Sequence, residues 1–207
     1  GKEVAYSSRF AFKPDPLIVF EVPKNGEYVL AINDGIYRRR EDFVYRVTID
    51  DRPLVTSIFP LGAKFGTSPP IDVKGVNLTG ATLSPPLEDS ETGAHVLKVT
   101  KDGRESNPVL FAPDTLPECL DTEPNNDIEH AQKVPFPITI NGRIDHPDDL
   151  DVFQFTGRAG ETIVAEVKAR RLDSMLDSVL LLSDAQGKPL ALSDDNDDPE
   201  AGTNTRY

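Results

Sequence analysis

Short apolar runs, β-branched or aromatic for the most part, recur along this chain between turn residues, and that spacing predicts strands. Over residues 10–50 the runs are FAF, then LIVFEV after Pro14 and Pro16, then EYVLAI and DFVYRVTI. Between them lie Lys24-Asn25-Gly26 and Asp34-Gly35. Asn-Gly between two apolar runs is the strongest short hairpin signal, because both residues tolerate positive φ. In EYVLAI, Tyr28, Leu30 and Ile32 alternate with Val29 and Ala31, so both faces are apolar, as in a central sandwich strand. Residues 53–113 change character: within PLVTSIFPLGAKFGTSPPIDVKGVNLTGATLS, HVLKVT and SNPVLFAPD, short strands recur at about ten-residue intervals, each closed by Gly or Pro, the rhythm of a small sandwich. From Cys119 onward, strands are predicted at ITINGRI, DVFQFTG, TIVAEVKA, SVLLLSD and PLALSD. Asn126 or Asp127 can N-cap one short helix over Ile128 to Lys133, while Leu172 to Leu176 fits either helix or strand.

Composition strengthens the all-β reading. The 18 Pro and 14 Gly are spread along all 207 residues, and Pro removes a backbone donor, so few windows remain for an ordinary helix. Hydrophobic residues make up 38% of the chain, enough for a folded core. No apolar run approaches the roughly 18 residues of a membrane span. No signal-peptide pattern opens the chain, and Gly1 ahead of Lys2 suggests a piece cut from something longer. The net charge of −13 argues against nucleic acid, whose binders need a Lys/Arg surface to displace counterions. Cations or a basic partner are the natural ligands. The lone Cys119 can form no internal disulfide.

Several motifs carry a resemblance. Glu123-Pro124-Asn125-Asn126 with Ala131-Gln132, then Gly142-Arg143-Ile144, then Asp149-Leu150-Asp151-Val152-Phe153-Gln154-Phe155, Gly160-Glu161 and Leu176-Asp177-Ser178 resemble the first half of a bacterial pre-peptidase C-terminal domain. That family is a secreted jelly-roll β-sandwich found beside peptidases and in large surface proteins. PDPLIVFEVPKNGEYVLAINDG followed by DFVYRVTI resembles the second half of the same family, and SIFPLGAKFG with VKGVNLTGATLS resembles an immunoglobulin-like module of the IPT/TIG type. The resemblance implies three parts: 1–52 a closing half, 53–114 an immunoglobulin-like module, and 115–207 an opening half. The halves stand in reverse order, as in a fragment of a repeating array. Either half alone would leave strand edges and an apolar face open, so 1–52 is expected to complete 115–207, within one chain or by strand exchange in a homodimer.

Calcium is the candidate ligand. It takes six to eight oxygens, mostly carboxylates and amide carbonyls, from loops that wrap around it. Asp121, Glu123, Asn125 and Asn126 lie on a segment whose alternate residues share a face, and Asp148 and Asp151 sit in a loop before a strand. By resemblance, family members that bind calcium use acidic and Asn residues at these places, although Asp121 stands where the family has Glu. The alternative is a capped turn at Glu-Pro-Asn-Asn and a solvated hairpin tip at His146-Pro147-Asp148-Asp149. The acidic run Asp194 to Asp198 lacks the Gly and closing Glu of an EF-hand loop and reads as solvated.

Catalytic patterns are missing from the sequence: His95, His130 and His146 stand apart with no HExxH, GxSxG or phosphate loop around them, and Cys119 has no base nearby. Arg38, Arg39 and Arg40 read as a solvated turn, and the sequon Asn77-Leu78-Thr79 as chance. The expectation is a non-catalytic, calcium-supported structural module of a protein that is extracellular, on the cell surface or periplasmic, positioning the neighbouring domains of its parent. The alternatives are a module that binds an extracellular polymer, polysaccharide or protein, and an accessory region of a secreted peptidase.

Overall fold

The best-packed region lies in the middle of the chain, where β1 (Leu54–Phe59) pairs antiparallel with β2 (Asp72–Val76). This computed structural model describes residues 3–10, 15–38, 40–84 and 93–194. Gly75 sits where β2 crosses β1 so closely that a Cβ would run into the Leu54 carbonyl. Around this pair, β3 (Thr82–Leu83), β5 (Val99–Lys101) and β6 (Arg104–Glu105) form one antiparallel sheet, and β4 (His95–Leu97) pairs with β7 (Val109–Phe111). The β5–β6 turn is Asp102-Gly103, both at positive φ, as a two-residue hairpin turn requires. Val55, Ile58, Ala63, Leu97, Val99, Val109 and Phe111 form the core.

Polar side chains finish this module where the ladders stop. Asn107 Oδ1 accepts the Val55 N–H at 2.8 Å and its Nδ2 donates to the Val55 carbonyl at 2.9 Å, standing in for a strand partner at the β1 bulge. The buried Ser106 hydroxyl accepts the Val99 N–H. Asn77, at φ 59°, donates to the Asp51 carbonyl, so the sequon asparagine has a structural task.

Residues 118–194 are held by shorter ladders. β8 (Glu118–Leu120) runs parallel to β10 (Thr139–Asn141), and β9 (Gln132–Lys133) parallel to β11 (Phe153–Gln154). β12 (Leu180–Ser183) and β13 (Pro189–Ser193) make an antiparallel hairpin, closed by Asp184, whose carboxylate accepts the Gln186 and Lys188 N–H groups. A 3-10 turn at Arg170–Leu172 buries Leu172 and touches β7. The predicted helix over Ile128 to Lys133 is absent. Asp127 does cap a turn, accepting the His130 N–H at 2.9 Å, but Gln132 N–H bonds to Val152 and Val134 N–H to Gln154, so the donors a helix needs are taken by parallel pairing. Of the strand predictions, TIVAEVKA carries no ladder.

The chain divides into two units, Gly1–Asp50 and Asp51–Tyr207. In the first, the predicted turns form: Tyr28 Oη closes the Asn25-Gly26 bend on the Lys24 carbonyl, and Asp34 accepts the Ile36 and Arg38 N–H groups. Arg38 and Arg40 both lie over the Phe43 ring, and Arg39 falls outside the described residues. Among the described residues of this unit no strand ladder joins the apolar runs, and Val29 in EYVLAI is 94% exposed, unlike the expected central strand. Taken as a whole the described chain is all-β.

Candidate metal centre

Two segments far apart in sequence meet beside β8 and β11. Asp121 leaves β8 with its N–H on the Asn141 carbonyl at 3.0 Å, and its Oδ2 accepts the Arg143 N–H at 3.2 Å. Glu123 Oε2 accepts the Asn125 N–H at 2.9 Å, and the Asn125 carbonyl accepts the Val152 N–H at 3.0 Å. That last bond ties the lead-in segment to the residue following Asp151. Asn126 Oδ1 accepts the Leu150 N–H, fixing the loop from its other side. Inside the loop, Asp149 Oδ2 accepts the Asp145 N–H and the Asp149 N–H bonds to the His146 carbonyl.

The outcome is a cluster of Asp121, Glu123 and Asp151, one carboxylate oxygen from each lying within 4.8 Å of the others. Oxygens around a single calcium at about 2.3–2.6 Å would be separated by no more than about 5 Å, so the spacing suits a common ion. Gly142 borders the cluster: a Cβ there would stand 3.0 Å from Asp151 Oδ2 and 3.7 Å from Asp121 Cγ.

Unpartnered buried atoms lie on the same two segments of chain. Asn125 is fully buried, and neither its Oδ1 nor its Nδ2 has a hydrogen-bond partner; Asp149 Oδ1 and Asp151 Oδ1 are buried and unpartnered too. His146 Nε2 lies 3.6 Å from Asp149 Oδ1, beyond hydrogen-bonding reach. Buried polar groups are nearly always bonded, so such a concentration calls for a missing partner. Burial first, and then the charges of Asp121, Asp149, Glu123 and Asp145, push the Asp151 carboxyl up to about 6. The clustered donors are carboxylate oxygens, which suits a hard cation and not a thiolate- or imidazole-seeking metal. The residues present therefore fit a metal ion.

Of the residues singled out in the sequence, Asp121, Glu123 and Asp151 come together, Asn125 is buried against them through Glu123 and Val152, and Asn126 acts as a clamp on the loop. Asp148 is exposed, at φ 67°, and does not join the cluster. Asp149, which is not among the predicted ligands, has the buried carboxylate. The signal was local: in His146-Pro147-Asp148-Asp149 the left-handed turn position falls to the first Asp, a residue that tolerates it, and the second is turned back into the loop.

Other candidates lie elsewhere. The Cys119 thiol is half-buried and its pKa is raised, by burial first and then by Asp121 and Glu118, the opposite of a reactive thiolate. His95 lies on β4, His130 pairs with Asp127 at 2.8 Å, and His146 stands beside Asp149. In the second acidic run only Asp194 is among the described residues; Asp195 to Asp198 lie outside them.

No helix among the described residues is long and apolar enough to cross a membrane. No family model matches the chain, and no solved structure matches it. A probable subtilase-type serine protease of Deinococcus radiodurans is 54% identical over 50 residues, which is 24% of this chain and 7% of that protein. What this chain shares with that protease is thus a short stretch of a much longer protein.

Proposed function

We propose that this chain is a non-catalytic accessory segment of a secreted or cell-surface protein, and that a calcium ion held by Asp121, Glu123 and Asp151 orders its 118–154 region. The observation that carries the reading is the cluster of the Asp121, Glu123 and Asp151 carboxylates, with Asp151 Oδ1 buried and unpartnered and further buried, unpartnered atoms on Asn125 and Asp149 of the same two segments. The similarity to part of a subtilase-type protease favours a peptidase as parent, which agrees with the resemblance to pre-peptidase C-terminal and IPT/TIG-type modules. Bound calcium would stabilise the folded form by mass action and position neighbouring domains through a stiffer chain.

The test is a thermal melt of the 207-residue chain with millimolar calcium and with chelator, beside a calcium titration by calorimetry. A higher melting temperature and a saturable heat support the reading; their joint absence removes the metal. Hydrolysis of a protein substrate by the isolated chain would overturn the non-catalytic assignment. The same proposal has residues 1–52 supplying strands to a 115–207 segment, of this chain or another. Its support is that the apolar runs of the first unit make no strand ladder of their own among the described residues. Light scattering across a concentration series separates exchange between chains from completion within one.

A further inference from the structure

Residues 141–143 face two ways. On one side they hold the module of β1–β7: Asn141 Oδ1 accepts the Leu61 N–H at 3.2 Å, the Arg143 guanidinium meets Asp72 Oδ2 at 3.1 Å, and its carbon lies 3.9 Å from the centre of the Phe59 ring. On the other side they build the acidic cluster. The Asn141 carbonyl accepts the Asp121 N–H, Gly142 leaves the gap beside Asp151 Oδ2, and the Arg143 N–H donates to Asp121 Oδ2. Asn141 Nδ2 also bonds Glu118 Oε2 at 3.0 Å, so both strands of the β8–β10 pair enter the joint.

From this geometry we infer that Arg143 is a positioning residue which couples the cation site to the joint between the β1–β7 module and the segment that follows it. The inference rests on the proposed cation. Without an ion, like charges on Asp121 and Asp151 repel across the gap at Gly142. An ion draws the two carboxylates onto one centre, and Asp121 carries the Arg143 backbone with it. The Arg143 side chain is anchored 71 residues away in sequence, on Asp72 and on the face of Phe59. A stacked, planar guanidinium has less freedom to follow than an ammonium, so movement of its backbone is felt at the other module. Coupling between two such sites is reciprocal: whatever loosens the anchor weakens the ion by the same factor. This makes the joint stiffer in calcium and looser without it.

The decisive variant lies in the neighbouring module and not at the cluster. In Asp72→Asn the ionic half of the anchor is lost, the stacking on Phe59 remaining, while the carboxylates that hold the ion are untouched; Asp102→Asn, in the β5–β6 turn, carries the same charge change and serves as the control. Calcium calorimetry on the whole chain should show Asp72→Asn binding about two- to fivefold more weakly, the range of one partly exposed ion pair, with Asp102→Asn matching the wild type. Arg143→Ala should weaken binding at least as much, and Arg143→Lys should recover part of the loss. Hydrogen exchange at residues 59–62 should slow on adding calcium in the wild type and less so in Asp72→Asn. Equal affinities for wild type and Asp72→Asn, with exchange at 59–62 unmoved by bound calcium, overturn the coupling and leave the cation site standing. No calcium heat in the wild type overturns both. If Arg143→Ala does not fold, Asp72→Asn alone decides.

Discussion

Replacing Asp151 by Asn separates a metal ligand from an ordinary hydrogen-bond acceptor, because the two roles give opposite signs in the absence of metal. In the cation-free protein Asp151 is crowded by carboxylates, which with burial move its carboxyl from 3.8 to about 6. Fully expressed, a shift of that size corresponds to roughly 3 kcal/mol; the site is partly open to solvent, and screening reduces this to about 1–2 kcal/mol. The Asn side chain sheds the charge and offers amide donors to the neighbouring carboxylates. In chelator the variant should therefore melt a few degrees above the wild type, at about 2–4 °C per kcal/mol for a chain of this size. In calcium the order reverses. At an ion concentration about 100 times its dissociation constant the wild type gains about 2.7 kcal/mol, and the variant gains little. Four melts followed by circular dichroism suffice. If Asp151→Asn lowers the melting temperature equally in both buffers, the carboxylate is a structural acceptor and the electrostatic reasoning fails.

The raised Asp151 pKa also fixes a pH dependence. Its folded value exceeds the unfolded one, so the cation-free fold binds an extra proton between about pH 4 and 6, is most stable below that window, and loses stability as pH rises through it; the calcium-induced gain in melting temperature should accordingly grow from pH 5 to 7.5, and a gain independent of pH would contradict it. Gly142→Ala places a Cβ 3.0 Å from Asp151 Oδ2 and should weaken calcium binding several-fold with little change in the melt in chelator, as calorimetry would show. Asn107→Ala unpairs both backbone groups of Val55 and should cost about 2–3 kcal/mol in urea unfolding with or without calcium. Phe111→Ala, at a side chain 1% exposed, should cost about 3–5 kcal/mol in the same assay.

What the sequence revealed was chiefly local. Asn25-Gly26, Asp34 and Asp184 make turns because their own backbone and side-chain atoms close them, within a window of four residues. The strands of HVLKVT, VLF, SVLLLSD and PLALSD were legible for a related reason, since each has its antiparallel partner a short distance along the chain. Parallel pairing of β8 with β10 and of β9 with β11 joins residues about twenty apart and leaves no turn signature, so the sequence alone predicts a helix over Ile128 to Lys133. Alternation in EYVLAI states which faces are apolar but not what lies against them. At the acidic centre, the resemblance points to the lead-in residues, and simple alternation puts Asp121, Glu123 and Asn125 on one face. Asp148 and Asp149 could not be ranked that way, because the side chain turned inward depends on a positive φ at 148.

The distribution of buried groups makes this part of the chain, and not the middle module, the one that a bound cation would stabilise most. Of the buried apolar residues, seven form the core between Val55 and Phe111, and the two that follow, Ala169 and Leu172, sit at the 3-10 turn. Between Glu118 and Gln154 no apolar side chain is fully buried among the described residues, and the ladders there are parallel and two or three residues long. Parallel pairs are slightly weaker per residue than antiparallel ones, and a region without a core of its own needs another staple. Asn125 occupies the position that a core residue would hold, fully buried, yet its amide has nothing to bond. An ion bound by the lead-in segment and the 145–151 loop would close a loop of about thirty residues, satisfy the orphaned oxygens and remove the carboxylate repulsion at once. Further hydrophobic contact could not do all three, because it would leave the charges of Asp121 and Asp151 facing each other.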